Sequence, residues 1–214
     1  MPRRVADVVI RRLPRYYRYL GELLDKGITR ISSGDLSQLM GVTASQIRQD
    51  LNYFGGFGQQ GYGYNVEHLH IEIARILGVV DGRNMIIIGA GNLGRAIAGY
   101  AKFEKRGFSL LALFDNRPEA LGMYDAQKNV QIYPIDELED FCKNNKVDIA
   151  VLTLPRSAAT AMYNRVIDCG IKGIWNFSHY ELPQTPGIAI ENVHMSDSLM
   201  TLSCKLNRIE QPED

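Results

Sequence analysis

A glycine turn near the middle of this 214-residue chain constrains its fold more than any other feature. Residues 84–88 form an apolar run rich in isoleucine, which is typical of a strand buried on both faces. Gly89-Ala90-Gly91-Asn92-Leu93-Gly94 follows directly, and a helical pattern comes next. A second apolar strand ends at Asp115, 21 residues after Gly94. This combination predicts an α/β fold in which a Rossmann-type, doubly wound parallel sheet binds a dinucleotide.

Each position of this turn has a physical role in that prediction. Gly89 permits a tight turn, Gly91 lets the backbone approach a pyrophosphate at the helix N-terminus, and Gly94 lets helix and strand pack closely. Asp115 would accept both hydroxyls of the adenosine ribose and repel a 2′-phosphate, which favours NAD(H) over NADP(H) despite nearby Arg117. Later strand ends supply candidates for the nicotinamide side, namely Thr153, Pro155, Asn176 and Phe177. A glycine turn that binds no cofactor is the alternative.

The first 75 residues have a different pattern, with short helices joined by glycine and serine turns. Helices are predicted over residues 13–25 and 33–40, and a third begins after Thr43, which forms a capping box with Gln46. The apolar stripe of the third helix consists of Ala44, Ile47, Leu51 and Phe54. Its second face consists of Ser45, Arg48, Gln49 and Asn52, without a carboxylate. Arg, Gln and Asn pair with purine edges in a major groove, so we predict a helix-turn-helix, with a plain three-helix module as the alternative.

Residues 55–64 alternate glycines with aromatics around two glutamines, which predicts a β-hairpin wing or, alternatively, a packing corner. Residues 1–18 carry six arginines against one aspartate, which favours contact with a polyanion or, alternatively, a solvated helix face. We therefore predict DNA contacts from Arg11, Arg12, Arg15, Ser45, Gln46, Arg48, Gln49, Asn52, Tyr53, Gln59, Gln60, Gly61 and Tyr62.

The predicted domains are residues 1–80 for the winged helix, 81–193 for the Rossmann domain and 194–214 for a C-terminal helix and tail. That helix carries Leu199, Met200, Leu202 and Leu206 and has no partner in a minimal Rossmann unit. It is a candidate dimer element, exchanged between subunits, or it docks on its own domain. A helix-turn-helix monomer reads few base pairs, so we expect a homodimer on palindromic double-stranded DNA.

Composition excludes several classes of protein. Lys plus Arg equals Asp plus Glu, at 24 each, and the three cysteines are widely spaced. We therefore expect reduced thiols, no metal site, no signal peptide, no membrane span and a cytoplasmic protein. The Rossmann unit leaves no room for a substrate domain, so we predict no catalytic residues and no enzyme; a small oxidoreductase or a CoA-type ligase subunit is the alternative.

The order of these motifs resembles the Rex family of redox-sensing transcriptional repressors over almost the whole chain. The motifs that carry the resemblance are residues 12–18, 47–55, 61–64, 89–94, 152–155 and 170–177. The resemblance implies a winged-helix domain, a Rossmann domain and a homodimer with an exchanged C-terminal helix. It also implies repression of fermentative and respiratory genes when NADH is scarce, release of operator DNA by NADH, and NAD+ as the competing or permissive ligand.

The same resemblance implies that Tyr100 lies near the nicotinamide and that Arg18 belongs to the contact that senses closure. This sequence departs from the family pattern at two positions. Gln49 stands where many relatives carry Arg or Lys, which shifts the expected base preference toward adenine. His194 stands where many relatives carry an Asp that pairs with the arginine at Arg18, and a neutral His does not provide that ion pair.

Overall fold

A computed structural model describes residues 7–53, 58–59, 62–100, 103–125 and 130–210. The chain divides into two compact units, Met1–Asp81 and Gly82–Asp214. The helices of the first unit are α1 (Asp7–Ile10), α2 (Leu13–Asp25), α3 (Ser33–Met40), α4 (Ala44–Asn52) and α5 (Val66–Leu77). Its strands are β1 (Arg30–Ile31), β2 (Gly58–Gln59) and β3 (Gly63–Asn65).

Local signals in the sequence determine where the helices of the first unit begin and end. The hydroxyl of Ser32 accepts the amide of Asp35 to begin α3, and Thr43 accepts the amide of Gln46 at 3.2 Å to begin α4. Gly41 ends α3 in the left-handed region, at φ 62°. The predicted bounds of α2 and α3 are therefore confirmed.

The wing prediction is confirmed in its described part. Strands β2 and β3 pair antiparallel, with Gln59 opposite Gly63, and β1 joins them to give the order β1-β3-β2. Phe54, Gln60 and Gly61 lie outside the described residues, so the tip of the hairpin stays a prediction.

A buried carboxylate joins α2 to α4. Asp50 is fully buried, and its oxygens accept Nε and Nη2 of Arg12, both at 2.7 Å, the hydroxyl of Tyr16 at 2.9 Å and Nε2 of Gln46 at 2.8 Å. Burial alone raises the pKa of Asp50, but the hydrogen bonds from Arg12, Gln46 and Tyr16 outweigh it and hold the pKa below its ordinary value. A paired and fully hydrogen-bonded charge is thus what fixes α4 against α2.

The second unit contains the parallel sheet. Its strands are β4 (Arg83–Ile88), β5 (Phe108–Asp115), β6 (Gly122–Asp125), β7 (Val130–Pro134), β8 (Ile149–Leu152), β9 (Gly173–Asn176) and β10 (Ala189–Asn192). Its helices are α6 (Asn92–Ala98), α7 (Leu138–Asn144), α8 (Arg156–Asp168) and α9 (Met195–Glu210), with 3₁₀ turns at Glu104–Arg106, Pro118–Ala120 and Ile135–Glu137.

The strand order is β10-β9-β8-β4-β5-β7-β6, with every pair parallel except β6 with β7. Without the antiparallel edge strand, this is the order of a dinucleotide-binding doubly wound sheet, whose direction reverses between β4 and β8. The predicted Rossmann class is confirmed. Strands β6 and β10 were not predicted, because short edge strands with mixed composition carry no clear alternation.

The two faces of the sheet are covered unequally. On one face α7 and α8 pack over Ile86, Ile88 and Phe114. On the other face α6 packs near Ile87, and a groove of about 420 Å³ remains beside Trp175. Helix α9 also lacks cover within its own unit, since its apolar side chains Met195, Leu199, Met200, Leu202, Leu206 and Ile209 are all exposed.

We expect Asp50→Ala to lower the free energy of local unfolding of α4 by about 3 kcal/mol, because it leaves the Arg12 charge and the Tyr16 hydroxyl without their partner. Amide hydrogen exchange of α4 peptides in the full chain measures this loss. Gln46→Ala, which removes one hydrogen bond, should cost about 1 kcal/mol.

The exchange protection of α4 should also depend on pH. Because the folded-state pKa of Asp50 lies below its ordinary value, the cluster stabilises α4 at pH above that ordinary value. This stabilisation should be lost as the pH falls through the lowered folded-state pKa. Equal exchange protection of α4 in the wild type and in Asp50→Ala would show that the carboxylate does not hold the helix.

Candidate functional site

The polar face predicted for α4 points outward. Ser45, Arg48, Gln49 and Asn52 are all exposed, and Tyr53 continues the same surface beyond the end of the helix. Ile47 and Leu51 are buried beneath them, so the predicted division of the helix into two faces is confirmed for its described residues.

Several of the side chains predicted to contact DNA are also engaged within the first unit. The Asp50 carboxylate accepts hydrogen bonds from the side chains of Arg12 and Gln46. Nη2 of Arg15 donates to the carbonyl of Met40, and Nη1 of Arg48 donates to Ser33 Oγ at 3.0 Å. These hydrogen bonds hold the side chains in place within the first unit. Contact between these side chains and DNA stays a prediction.

The sequence analysis missed Asp50, because this residue belongs to neither the apolar stripe nor the polar face that the sequence defines on α4. An available signal was the spacing between Gln46 and Asp50, which is one helical turn and brings their side chains together. An acidic residue on the inward side of a helix, among apolar neighbours, needs a cation or several donors to be buried.

An aromatic side chain between β2 and β3 lies beside a cation of β1. Tyr62 is exposed, and the guanidinium of Arg30 lies 5.8 Å from the centre of its ring. Nη1 of Arg30 also donates to the Tyr62 carbonyl at 3.3 Å. Of Gln59 only the backbone is described, within β2.

In the second unit, the turn after β4 is held by two neighbouring strands. The amide of Gly89 donates to the Phe114 carbonyl of β5 at 2.8 Å. From the end of β8, the Thr153 hydroxyl donates to the Gly89 carbonyl at 2.7 Å, and the Thr153 amide donates to Ile88 at 2.9 Å. Gly89 has φ 104°, and a Cβ there would lie 2.5 Å from the Thr153 carbonyl oxygen. This position therefore requires glycine.

The other two glycines of the turn differ from each other. A Cβ on Gly94 would overlap the Gly89 carbonyl oxygen and lie 2.9 Å from Thr153 Oγ1, so the fold itself requires glycine there. A Cβ on Gly91 would meet no protein atom within 4 Å. The fold therefore does not require glycine at 91, whereas a ligand lying against the backbone at the start of α6 would.

Asp115 stands where the sequence predicts it, at the end of β5, but its oxygens already accept hydrogen bonds. Oδ2 accepts the Ala90 amide at 2.7 Å and Arg117 Nη2 at 2.9 Å, and Oδ1 accepts the Arg117 amide and Nε, both at 2.9 Å. The Arg117 hydrogen bonds, helped by the backbone amides and opposed by burial, lower the pKa of Asp115 to about 2. A ribose bound there must share the carboxylate with a half-exposed arginine or displace it.

A cavity of about 450 Å³ lies beside this turn. The predicted residues that line it are Gly89, Gly91, Asp115, Thr153 and Pro155. Arg165 also lines it and was missed by the sequence analysis. Its guanidinium is held by Glu139 of α7, at 2.7 and 2.8 Å, and by the Ile135 carbonyl at 3.0 Å.

Other predicted residues lie elsewhere. Asn176 is fully buried. Its Nδ2 donates to the Tyr180 carbonyl and to Asn192 Oδ1, and its Oδ1 accepts the Ser178 amide, so its polar atoms are used in hydrogen bonds within the fold. Phe177 packs on Trp175 at 4.7 Å between ring centres. Neither lines the cavity, and Tyr100, which is exposed and packs edge-on against Phe103 at 4.9 Å, does not line it either.

Arg18 and His194 belong to different units. Arg18 is exposed on α2, with its guanidinium 5.3 Å from the centre of the Tyr19 ring. His194 is half-buried just before α9, and its carbonyl accepts the Asp197 amide at 3.1 Å. Their predicted role in a switch stays a prediction.

Among the described residues, no group of three or more His, Cys, Asp and Glu side chains is arranged to hold a metal ion. Within the same residues, no helix has the length and apolar character to cross a membrane.

Comparison with known proteins identifies the family. Residues 4–52 match a family model described as putative DNA-binding protein N-terminus, and residues 80–180 match one described as CoA binding domain. The redox-sensing transcriptional repressor Rex of Clostridioides difficile (strain 630) is 55% identical over 199 residues, which cover 93% of this chain and 94% of that protein. The chain belongs to the Rex family. The Rex of Thermoanaerobacter pseudethanolicus is 54% identical over 97% of this chain and 92% of its own.

Solved Rex structures agree with this fold. RSP, a Rex-family repressor, in complex with β-NAD+ and operator DNA is 53% identical, with a TM-score of 0.89 over 97% of this chain and 94% of its own. RSP in complex with β-NADH is 50% identical, with a TM-score of 0.87 over 96% of both chains. The resemblance drawn from the sequence motifs is thereby confirmed.

The family also decides between repressor and enzyme. Rex relatives that match nearly the whole chain are transcriptional repressors, although the Rossmann fold is common among enzymes. The CoA binding description covers only the Rossmann part of the chain. The alternative of an oxidoreductase or ligase subunit is therefore wrong for this Rex protein.

Substitution of two glycines should separate ligand binding from folding in this Rex protein. Gly94→Ala should lower the free energy of unfolding of the second unit by about 1–3 kcal/mol, because its Cβ overlaps the Gly89 carbonyl. Gly91→Ala should cost less than about 1 kcal/mol, because the new methyl group meets open space and only the N-cap preference changes. Amide hydrogen exchange of β4 and β5 peptides measures both.

Gly91→Ala should nevertheless weaken dinucleotide binding, because its methyl group occupies the space where the pyrophosphate is expected. Isothermal titration with NADH measures the affinity, and the control is Gly34→Ala, at an exposed position of α3 where an added Cβ makes only an ordinary contact with Ser32. Wild-type NADH affinity in Gly91→Ala would contradict the assignment of this turn.

Proposed function

We propose that this chain is a redox-sensing transcriptional repressor that binds palindromic operator DNA as a homodimer and is released when NADH binds. One observation carries the proposal: a single chain joins an exposed, carboxylate-free helix face to a glycine turn whose second glycine faces open space. The first feature is suited to a DNA groove and the second to a dinucleotide.

The DNA-binding surface is the exposed face of α4 with the β2–β3 hairpin. Arg48, Gln49 and Asn52 are the base-reading candidates, because their side chains match the donor and acceptor patterns of purines. Arg11 and Arg15, on the basic N-terminal segment, are candidates for phosphate contacts, which position a protein without reading sequence. Relatives support this use of the first unit, since RSP was solved with operator DNA.

The dinucleotide site is the cavity beside the glycine turn. The backbone at Gly89 to Gly94 would hold the pyrophosphate at the start of α6, and Asp115 would hold the adenosine ribose. The residues present fit such a ligand, because the space above Gly91 is open and the cavity wall is apolar around Leu154 and Met162. RSP was solved with β-NADH and with β-NAD+, which supports NAD(H) as the ligand.

The homodimer has two supports in the second unit. The apolar stripe of α9 is exposed. A groove lined by the half-buried side chains of Phe108 and Trp175 lies open on one face of the sheet. Exposed apolar surface of this kind marks an interaction site, and a second copy of the chain would cover both. Exchange of α9 between protomers is part of the proposal.

The signal is transmitted by differential binding. NADH must bind the DNA-free form more tightly than the operator-bound form, and by reciprocity DNA must weaken NADH binding by the same factor. No hydride needs to leave the nicotinamide for this effect, so the cofactor is an effector. A repressor of this kind acts where the chromosome is, and we place the protein in the bacterial cytoplasm.

Titration of operator binding with NADH and NAD+ tests the proposal. With the operator DNA of RSP as a fluorescent probe, saturating NADH should raise the dissociation constant by about 5- to 150-fold, the range of typical coupling energies. NAD+ should have a smaller effect. Equal operator affinity with and without NADH would overturn the proposal.

Asp115→Ala should abolish the response to NADH and keep operator binding in the absence of dinucleotide, because the carboxylate belongs only to the second unit. Asp140→Ala removes an exposed carboxylate that pairs with Lys143 and is the matched control. The same anisotropy titration measures both variants. A full NADH response in Asp115→Ala would exclude the carboxylate as a cofactor ligand.

Arg48→Ala should weaken operator binding by about 1–3 kcal/mol and relax specificity at one base step, because a bidentate base contact is lost. Arg75→Ala is the control, since Arg75 is exposed on α5 and pairs with Glu72. Competition between operator and random DNA measures the change. An unchanged specificity ratio would mean that Arg48 does not read a base.

A further inference from the structure

The Asp115 carboxylate, at the end of β5, is filled by donors of its own chain. A carboxylate offers about four acceptor positions, two on each oxygen. Oδ1 accepts the Arg117 amide and Arg117 Nε, both at 2.9 Å, and Oδ2 accepts the Ala90 amide at 2.7 Å and Arg117 Nη2 at 2.9 Å. Asp115 must therefore release donors before it accepts the hydroxyl groups of a ligand.

The four donors are not equally free to leave. The Ala90 amide belongs to the glycine turn, which hydrogen bonds from Gly89 to Phe114 and from Thr153 to Gly89 hold in place. The Arg117 amide is part of the backbone that leaves the same strand. The Arg117 guanidinium, by contrast, is half exposed at the cavity wall and sits at the end of a side chain with several rotatable bonds. Its two hydrogen bonds are the ones that a ligand can replace.

We propose that the Arg117 side chain is a built-in competitor of the dinucleotide: it occupies the two acceptor positions that the adenosine ribose needs and leaves when the ribose binds. Nε lies on one carboxylate oxygen and Nη2 on the other, so the two hydroxyls of the ribose diol replace them one for one. This inference rests on the proposed function, because the dinucleotide is its ligand. It adds that Arg117 sets the affinity of the site.

The surroundings of the pair make this exchange possible at a moderate cost. The Asp115 side chain is only 5% exposed, so it needs donors at all times, and the ribose hydroxyls supply them when the guanidinium departs. The Arg117 side chain is 50% exposed, so water can solvate the guanidinium once it is released. Hydrogen bonds from this side chain are also the main cause of the low pKa of Asp115, about 2, which keeps the carboxylate ionised in both arrangements.

The competition acts on the part of the ligand that does not change on reduction. The adenosine ribose is the same in NADH and NAD+, so Arg117 should weaken the binding of both by the same factor. The side chain would thus set the dinucleotide concentration at which the site fills, and leave the preference for one redox form unchanged.

Isothermal titration of the full chain with NADH and with NAD+ tests the proposal. Arg117→Ala should bind both dinucleotides about 2- to 5-fold more tightly than the wild type, the range expected for loss of a partly exposed ion pair. Arg117→Lys keeps the charge but replaces the two-pronged donor by a single ammonium, and it should also tighten binding. Lys143→Ala is the control, since it removes an exposed cation of the same unit that pairs with Asp140.

The outcomes of this titration are distinguishable. Equal or weaker NADH binding by both Arg117 variants, beside a wild type that binds NADH, would overturn the competition and leave the proposed function standing. A changed ratio of NADH to NAD+ affinity in Arg117→Ala would overturn it as well. A wild type that does not bind NADH would contradict both the competition and the proposed function.

Ligands with and without the diol locate the effect on the ribose. Adenosine diphosphate, which competes with NADH, should gain affinity in Arg117→Ala, whereas 2′,3′-dideoxyadenosine diphosphate should not. An equal gain for both would show that Arg117 does not compete for the ribose position. In the wild type, which needs no variant to fold, the Arg117 Nε proton should exchange slowly with solvent and faster once NADH is bound. Unchanged protection of that proton in nuclear magnetic resonance spectra would contradict the displacement.

Discussion

Three neighbouring strands meet at one turn, and the architecture of the second unit depends on that meeting. The Gly89 amide is bound by β5, its carbonyl is bound by Thr153 from the end of β8, and the next amide, of Ala90, is bound by Asp115. The backbone is so close to Thr153 that a Cβ on Gly89 has no space. The turn lies at the point where the sheet reverses its direction, and α6 begins there, directly after Gly91 of the cavity wall. Hydrogen bonds within the protein hold the backbone of this turn, which lowers the ordering cost of binding there.

Each unit uses one aspartate to fix its functional surface from within. Asp50 accepts four hydrogen bonds and orients α4, while Asp115 accepts four and connects the turn to the start of the next loop. The two aspartates differ in how exposed their arginine partners are. Arg12 is mostly covered, whereas Arg117 is half exposed and able to move aside. A buried pair suits a helix whose orientation must stay constant, and an exposed pair suits a site where a ligand has to compete for the carboxylate.

Several features of the fold and of the candidate site could be predicted from the sequence, and the features that could not be predicted have a common cause. The glycine turn, Thr43 as a helix cap and the two faces of α4 are local patterns, and the predictions drawn from them agree with the structure. Arg12 and Asp50 are 38 positions apart, and only packing of α2 on α4 brings them together. Asn176 was predicted from its place at a strand end, but its amide is used by the loop that follows. Strand-end position therefore predicts which edge of the sheet a residue occupies, whereas the partner of its polar atoms is set by the tertiary fold.

In the proposed site, the glycine turn and Asp115 would anchor the part of the dinucleotide that is identical in NADH and NAD+. A ligand shifts a conformational equilibrium only through a difference in its affinity for the two states, so the anchor supplies affinity and leaves the two redox forms nearly equal. Discrimination must then come from side chains that meet the nicotinamide ring, whose charge and planarity change on reduction. In this chain Tyr100 is the aromatic side chain that the family resemblance implies for that region, and it stands exposed outside the cavity that the anchor lines. In the proposed site, affinity and redox selectivity would thus be carried by different residues, which would allow selectivity to change without loss of the anchor.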